Sequence, residues 1–404
     1  MESGILSDLK VVEYAHFISG PYCGKLMADL GAQVIKVEEP GFGDEARKAG
    51  PFPNDIPHPE RSGLFLYLNT NKVGVTLGLR TSEGLKVFKE LVKDADILVE
   101  NNPAKVMTEL GLDYESLHKV NPRLVVTSIT PFGQTGPYRD YKATDLVSYQ
   151  MGGLGYHTPG FVKWPDEEPP LKAAGHQADF LAGLTAAVAS MHAIFARQAT
   201  CQGQHVDVSE HEAVASIVFG NIARYFYGKQ IPNRLARAPD MAAVVLPCKN
   251  GYFCIVAMEE RQWQTWMEIM GNPDWATNEL FKDRTSRATH WDTLEPLLRE
   301  WTMQHTKEEI CQLAQARRVP ITPVNGVEEI VKSQQLVARD FFVEIEHTEA
   351  GKVAYPSLPY KFSETPVAIK RRAPLLGEHN EQVFCQLLGY MREDLAKMRR
   401  AAVI

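Results

Sequence analysis

Apolar side chains occur along the first 130 residues in short runs, separated by segments with a different spacing. Five runs are rich in β-branched residues and have the length of a strand, and we predict strands at 9–15, 33–40, 74–79, 96–101 and 123–130. Segments 21–30 and 82–95 have the spacing of helices. Because strands joined through a helix run parallel, the pattern predicts an open, mostly parallel, Rossmann-like α/β sheet.

The alternation of polar and apolar positions changes after residue 175. A long apolar helix follows Asp179, and we predict a strand at 203–209 and a helical stretch from Glu210 to Tyr227. Residues 228–247 are rich in Pro and Arg and have no periodicity, which marks a domain boundary. A second group of strands and helices follows, so the chain is expected to form more than one domain.

The composition is that of an ordinary globular protein, with 44% hydrophobic and 23% charged residues and a net charge of -7. Lys and Arg are scattered, which argues against a nucleic-acid partner. The six cysteines form no CxxC pair and the histidines no metal-binding spacing, so we expect reduced thiols and no metal. The apolar run from Phe180 to Ala196 is shorter than a membrane span, and no signal peptide precedes it. We therefore expect a cytoplasmic protein with no membrane partner.

Asp179 is the one carboxylate at the head of the apolar run HQADFLAGLTAAVASMHAIFA, residues 176–196. Asp is a favoured N-cap, so a structural role at the start of the helix is one interpretation. The helix dipole is then expected to keep the carboxylate ionised at neutral pH. An ionised and partly shielded carboxylate is also what a carboxylate nucleophile requires.

Eight segments occur in an order that resembles one protein family over nearly the whole chain. They are GPYCGKLMADLGAQVIKVEEPGFGDEAR, LNTNKVGVTL, DILVENN, NPRLVVTSITPFGQTGPYRD, DLVSYQMGG, QADFLAGLTAA, CQGQHVDVS and APLLGEH. Together they resemble the family III CoA-transferases, which include carnitine and formyl-CoA:oxalate CoA-transferases. The resemblance implies that Asp179 is the nucleophile of a reversible CoA transfer from an acyl-CoA donor to a carboxylic acid acceptor. It implies covalent mixed anhydrides and an aspartyl-CoA thioester, with CoA as substrate and no permanently bound cofactor.

The resemblance also implies the domain organisation and the assembly. A large domain would combine residues 1–227 with a linker and C-terminal part at 326–404, and a smaller α/β domain would occupy 228–325. The implied assembly is a homodimer whose two chains are interlocked like rings. The late segment 377–380 would then help to complete the large domain.

Residues at the predicted strand ends match positions that bind CoA in relatives: Ile18, Ser19, Leu77 to Arg80, Asn101, Asn102 and Lys142 to Asp145. Arg80 and Lys142 are the expected phosphate partners. The chain departs from the family pattern at four positions, Glu39, Asn102, Pro103 and Glu109, and three nearby cations could compensate: Arg47, Lys72 and Lys105. Gly152 and Gly153 are candidates for stabilising an oxyanion.

Three other functions compete with CoA transfer. An α-methylacyl-CoA racemase of the same fold would place a His where this chain has Thr144 in the motif ATD. A nicotinamide-dependent dehydrogenase would use Glu38 to bind ribose, but the turn HFISGPYCG lacks GxGxxG. The third is an acyl-CoA-binding protein without turnover. The sequence does not identify the two acids that are exchanged. Tyr156, His157 and residues 242–247 are expected at the acyl group. Residues 242–247 lack a glycine-rich loop, which argues against oxalate as the acid.

Overall fold

The computed structural model describes residues 4–160, 162, 164, 166–231, 234, 244–257 and 259–404. The chain divides into two compact units. The first contains Met1–Thr158, Pro170–Pro232 and Ala338–Ile404, and the second contains Pro159–Pro169 and Asn233–Val337. The small domain expected at 228–325 overlaps the second unit.

The first unit is built on a six-stranded, wholly parallel sheet, which confirms the predicted fold class. The strand order is β3-β2-β1-β4-β5-β6. The strands are β1 Lys10–Tyr14, β2 Gln33–Glu38, β3 Val73–Thr76, β4 Ile97–Glu100, β5 Val125–Thr130 and β6 His205–Ser209. This is the order of a doubly wound dinucleotide-binding fold, in which ligands bind where the strand order reverses. That point lies between the carboxyl ends of β1 and β4.

Helices cover both faces of this sheet. They are α1 Ser19–Asp29, α2 Gly63–Leu68, α3 Ser82–Lys93, α4 Ala104–Glu109, α5 Tyr114–His118, α6 Asp145–Met151, α7 Gln177–Thr200, α8 Glu210–Ile217 and α9 Phe219–Gly228. One hydrophobic core joins α3 to Val12 and Leu98 of the sheet. The other joins α1 and α7 to the opposite face, through Val11 and Val99. Alternate residues of β1 and β4 thus serve the two cores.

Helix α7 packs closely against α1 because its side chains there are small. A Cβ at Gly183 would lie 2.5 Å from the backbone oxygen of Ser19 and 3.2 Å from the side chain of Tyr22. Ala182 and Ala186 on the same helix are completely buried. The small residues that distinguish this helix in the sequence are therefore explained by its packing.

Among the described residues, α7 is the one helix long and apolar enough to cross a membrane by length and composition. The helix is longer than the apolar run Phe180–Ala196 because it extends beyond that run at both ends, to 24 residues. Of its most apolar window, 44% is buried. Since α7 packs on α1, β5, β6 and α8, it is a core helix of the first unit.

The second unit has a three-stranded antiparallel sheet, ordered β7-β8-β9, with its own core. Its strands are β7 Val244–Cys248, β8 Gly251–Ile255 and β9 Ile321–Pro323. Its helices are α10 Glu260–Ile269, α11 Arg284–Thr289, α12 Trp291–Thr302, α13 Lys307–Ala316 and α14 Val327–Val331, and α15 Gln334–Ala338 follows. Trp266 is completely buried at the centre of this core.

The chain then returns to the first unit through the hairpin β10 Phe342–His347 and β11 Gly351–Pro356. A π-helical turn at Gln382–Leu387 and α16 Arg392–Arg400 follow it. Asn380 binds the edge strand β3, with its Oδ1 2.9 Å from Thr76 N and its Nδ2 2.8 Å from Thr76 Oγ1. Gly78 N donates to Val403 O at 2.7 Å. The late segment therefore completes the edge of the parallel sheet.

Candidate active site

Asp179 is buried in the first turn of α7, but it is not the N-cap. The helix begins at Gln177, with His176 in the N-cap position, so Asp179 is the third helical residue. The free amides of this turn are satisfied by another acid: Asp145 Oδ1 lies 2.8 Å from Ala178 N and 3.2 Å from Asp179 N. The capping role predicted for Asp179 is therefore wrong, and its carboxyl group is available for other chemistry.

Asp145 links two helices and a cation. It is the first residue of α6, and its Oδ2 lies 2.8 Å from the ammonium of Lys172. That ammonium also donates to the carbonyl oxygens of Ala173 and Gly175. Asp145 was predicted to bind CoA, but in the structure its carboxylate fixes the first turn of α7 and the loop before it.

The prediction that Asp179 is ionised at neutral pH is also wrong. Burial, together with the charges of Glu210 and Asp145, raises the pKa of Asp179 to about 8, although Lys172 acts in the opposite direction. The helix dipole cannot offset removal from water beside two other carboxyl groups. Burial beside two other carboxyl groups therefore favours the protonated form of Asp179.

Glu210 is a carboxyl group near Asp179 that sequence reasoning missed. It is buried as the first residue of α8, directly after β6, and its Oε2 accepts a hydrogen bond from Ser148 Oγ at 2.9 Å. Burial raises the pKa of Glu210, and hydrogen bonds from Ser148 and Ser19 oppose the rise. A carboxylate immediately after a strand that ends beside α7 was the available signal.

The imidazole of His176 lies beside the carboxyl group of Asp179. Its Nδ1 lies 3.3 Å from Asp179 Oδ2. Its ring also meets the ring of Phe17 edge-on, with centroids 5.1 Å apart. From the sequence His176 is an ordinary loop histidine, because its proximity to Asp179 depends on where the helix begins.

The loops after β1 and β4 are joined at the strand-order reversal. Asn101 Oδ1 accepts from His16 N, and its Nδ2 donates to His16 O, both at 2.8 Å. Asn102 Nδ2 donates to Tyr14 O at 3.0 Å. Both side chains thus hold the crevice in shape, although they were predicted for their contact with CoA.

The remaining residues predicted to contact CoA differ in their exposure. Ile18, Ser19 and Leu77 are buried, so contact with a ligand there would involve mainly the backbone. Arg80 and Lys142 are exposed, and neither has an ion pair within the described part of the chain. Their charges are free to meet phosphate groups.

Arg47 and Lys72 cannot compensate for missing phosphate contacts, contrary to the expectation from the sequence. Both are completely buried. Arg47 Nε lies 2.7 Å from Glu38, and Lys72 Nζ lies 2.7 Å from Glu13. Glu38 is committed to Arg47, so the acid expected to bind ribose in a dehydrogenase is also unavailable. Lys105, the third cation considered, is exposed, and its Nζ lies 3.9 Å from Glu109 Oε1.

Gly152 and Gly153 are not free to stabilise an oxyanion. Gly152 N donates to Ser148 O at 2.9 Å and Gly153 N to Gln150 O at 3.1 Å, so both amides end helix α6. Tyr156 and His157, expected at the acyl group, form a short helical turn with Gly155. Of the expected segment 242–247, Ala242 and Ala243 lie outside the described residues.

Within the described ranges of the chain, one group of side chains could hold a metal ion. Asp145, His176 and Asp179 each offer one ligand atom, and the atoms lie within 4.8 Å of one another. The Lys172 ammonium already places a positive charge beside Asp145. The absence of a metal stays a prediction from the sequence.

Comparison with known proteins identifies the family. The sequence profile of CoA-transferase family III matches residues 6–380. The chain belongs to CoA-transferase family III. It is 33% identical to succinyl-CoA–D-citramalate CoA-transferase of Chloroflexus aurantiacus, over 99% of this chain and 98% of the relative. It is 31% identical to succinate–glutarate CoA-transferase of Agrobacterium fabrum, over 95% of each.

A solved structure shares the fold of this family III member. A CaiB/BaiF family protein from Brucella suis has a TM-score of 0.85 and 30% sequence identity, covering 95% of this chain and 100% of that one. Proteins of family III use CoA thioesters as substrates. The buried carboxyl of Asp179 must therefore be considered as a partner for thioester chemistry.

Proposed function

We propose that this family III enzyme moves CoA reversibly from an acyl-CoA donor to a free carboxylic acid, with Asp179 as the covalent relay. The observation that carries the proposal is the environment of Asp179. Its carboxyl group is buried and has a pKa raised to about 8. It does not cap the helix, because Asp145 accepts the hydrogen bonds from the amides of the first turn. Its nearest charged neighbours, Asp145, Glu210 and Lys172, are fixed by hydrogen bonds and ion pairs of their own.

The reaction consists of four acyl transfers. The Asp179 carboxylate attacks the thioester carbon, the C–S bond breaks with its electron pair on sulfur, and a mixed anhydride and CoA thiolate result. The thiolate attacks the aspartyl carbon and releases the donor acid, leaving an aspartyl-CoA thioester. The acceptor carboxylate then attacks this thioester, forming a second anhydride. The thiolate finally takes the acceptor acyl group and restores the carboxylate.

The raised pKa of Asp179 makes the first step easier. A carboxylate of pKa near 4 that displaces a thiolate of pKa near 8.5 faces a basicity difference of about 6 kcal/mol. A raised pKa of Asp179 reduces this difference, because a more basic carboxylate is a better nucleophile. The binding energy of the distant parts of CoA then has less to offset. The cost is that Asp179 must first lose its proton.

The proposed CoA site lies at the reversal of strand order. Ile18 and Ser19 begin the loop and helix after β1, and Asn101 and Asn102 fix the facing loop. Arg80 and Lys142 are proposed to meet the phosphates, because both are exposed cations without an ion pair among the described residues. Arg and Lys side chains form strong, charge-assisted hydrogen bonds with phosphate groups.

We propose a dicarboxylic acyl-CoA, with succinyl-CoA as the first choice, for the donor. This rests on the relatives, since succinyl-CoA or succinate stands in the names of the Chloroflexus and Agrobacterium enzymes. A relative named formyl-CoA:oxalate CoA-transferase is also 30% identical. Its acid ranks lower because no glycine-rich loop occurs at 242–247.

We further propose a cytoplasmic homodimer. All six cysteines are free, which fits a reducing compartment. Four aromatic side chains of α9 are at least half exposed: Phe219, Tyr225, Phe226 and Tyr227. We propose that these exposed aromatic side chains contribute to the contact between the two subunits.

The covalent relay can be tested by incubating the enzyme with succinyl-CoA, glutaryl-CoA or acetyl-CoA and analysing its peptides by mass spectrometry. The peptide that contains Asp179 should gain the mass of a CoA thioester, and 18O from a labelled acceptor acid should enter Asp179. Asp179→Ala should abolish both adduct and transfer but still bind CoA. The matched control Asp94→Asn, an exposed acid, should behave like wild type. Transfer that persists in Asp179→Ala would disprove the relay.

A further inference from the structure

The imidazole of His176 is held against the nucleophile by a contact that has no second partner. Its Nδ1 lies 3.3 Å from Asp179 Oδ2, and this nitrogen is buried without a hydrogen bond to any described residue. The rest of the His176 side chain is 41% exposed. A long and poorly aligned contact of this kind is common in ligand-free active sites and tightens on binding.

The position of the ring is fixed from the other side by Phe17. The two rings meet edge-on at 85°. Phe17 has a φ of +62°, which is costly for an aromatic residue. Asp44 holds it there by accepting from Phe17 N at 2.9 Å, and Lys36, 2.7 Å from Asp44, holds Asp44. A strained residue maintained by a buried ion pair thus supports the contact between His176 and Asp179.

The charges around Asp179 leave it in need of a proton acceptor. Asp145 faces it from α6 and Glu210 from α8, and both disfavour the carboxylate. Lys172, from the preceding loop, favours it, but its ammonium is paired with Asp145. His176 is the remaining titratable group in contact with the carboxyl within the described chain.

We propose that His176 is a positioning residue that takes the proton of Asp179 and holds the resulting carboxylate ready for attack. The proton moves from the carboxyl to the imidazole, which becomes an imidazolium. The carboxylate then attacks the thioester carbon, and the electron pair of the C–S bond leaves with sulfur. The proton stays on His176 until the carboxylate is restored, so no other proton donor is required. The inference rests on the proposed function of Asp179.

The test is the pH dependence of CoA transfer by His176→Phe and His176→Asn, with His192→Phe as the matched control. Phe keeps the contact with the Phe17 ring and removes the nitrogen, whereas Asn keeps a neutral donor. His192 is exposed on the same helix. Rates with succinyl-CoA, or with whichever donor labels Asp179, are measured between pH 6 and 10.

We expect His176→Phe to lower kcat up to about tenfold at pH 7, because a carboxyl group with a pKa of about 8 is only about one-tenth ionised there without a proton acceptor. The loss should fall below about threefold at pH 9.5, where bulk hydroxide removes the proton from Asp179. His176→Asn should lie between it and wild type, KM for the acyl-CoA should change by less than about twofold, and His192→Phe should match wild type.

A profile for His176→Phe that parallels wild type at every pH would overturn the proposal, because a purely structural loss is independent of pH. Should His176→Phe fail to fold, the profile of His176→Asn decides in the same way. Failure of the proposed function is a separate result: wild type itself would form no adduct at Asp179.

Discussion

At the scale of single residues, Asp179 combines burial with two neighbouring carboxyl groups, and this arrangement has a cost in stability. The folded protein keeps the Asp179 proton up to a pH of about 8, whereas the unfolded chain loses it near pH 4. Between these values the folded state binds more protons, so the free energy of unfolding falls as the pH rises. The penalty is largest above pH 8.

Asp179→Asn should remove that penalty. The variant is expected to unfold at a higher urea concentration than wild type, with an advantage that grows from pH 5 to pH 8.5 and reaches a few kcal/mol. Urea denaturation at both pH values measures it. The exposed acid in Asp94→Asn serves as control and should show no such growth. An advantage equal at both pH values would mean that burial of the charge is not its source.

Sequence reasoning could select Asp179 but not its protonation. The acid and the small-residue helix behind it are visible as a pattern. Glu210 and Asp145 lie 31 positions after it and 34 positions before it, and only the fold brings their carboxyl groups to it. The same holds for Arg47 and Lys72, which look like free cations in the sequence and are buried in ion pairs.

At the scale of secondary-structure elements, the close packing of α7 on α1 depends on Gly183. Gly183→Ala should lower the free energy of unfolding by about 1 to 2 kcal/mol, because the new Cβ would meet the backbone oxygen of Ser19 at 2.5 Å. Gly220→Ala is the matched control. A Cβ added at Gly220, in α9, would have no contact within 4 Å beyond its own stretch of helix, so this substitution should raise the free energy of unfolding by about 0.5 to 1 kcal/mol. Thermal unfolding distinguishes them, and equal shifts for both variants would contradict the packing argument.

The elements were largely predictable, since apolar runs rich in β-branched residues located all six strands of the parallel sheet within a few residues. The single helix expected from Glu210 to Tyr227 is two helices, because Val218 leaves the helical conformation at φ -89° and ψ 18°. Near the end of the chain, Gln382–Leu387 forms a π-helical turn. Hydrophobic spacing does not report such local changes of hydrogen bonding.

At the scale of the whole molecule, the proposed interlocked dimer makes a prediction about dilution. An ordinary dimer dissociates as its concentration falls, but linked chains cannot separate without unfolding. Two chains of 45.2 kDa should therefore give one species of about 90 kDa by mass photometry, from micromolar to low nanomolar protein. Appearance of a folded 45 kDa species on dilution would exclude interlocked chains. If α9 contributes to the contact between subunits, Phe226→Asp should lower the fraction of the 90 kDa species.

The bonds between β3 and the late segment also bear on how the protein is made. Thr76 receives its partner Asn380 from 304 positions further along the chain. A ribosome must therefore translate most of the message before this strand can acquire its outer neighbour. The second unit, whose elements between Val244 and Val331 are continuous in the chain, has no such delay. The nascent polypeptide consequently carries an unfinished sheet throughout most of its synthesis, a period in which chaperones can bind that open edge.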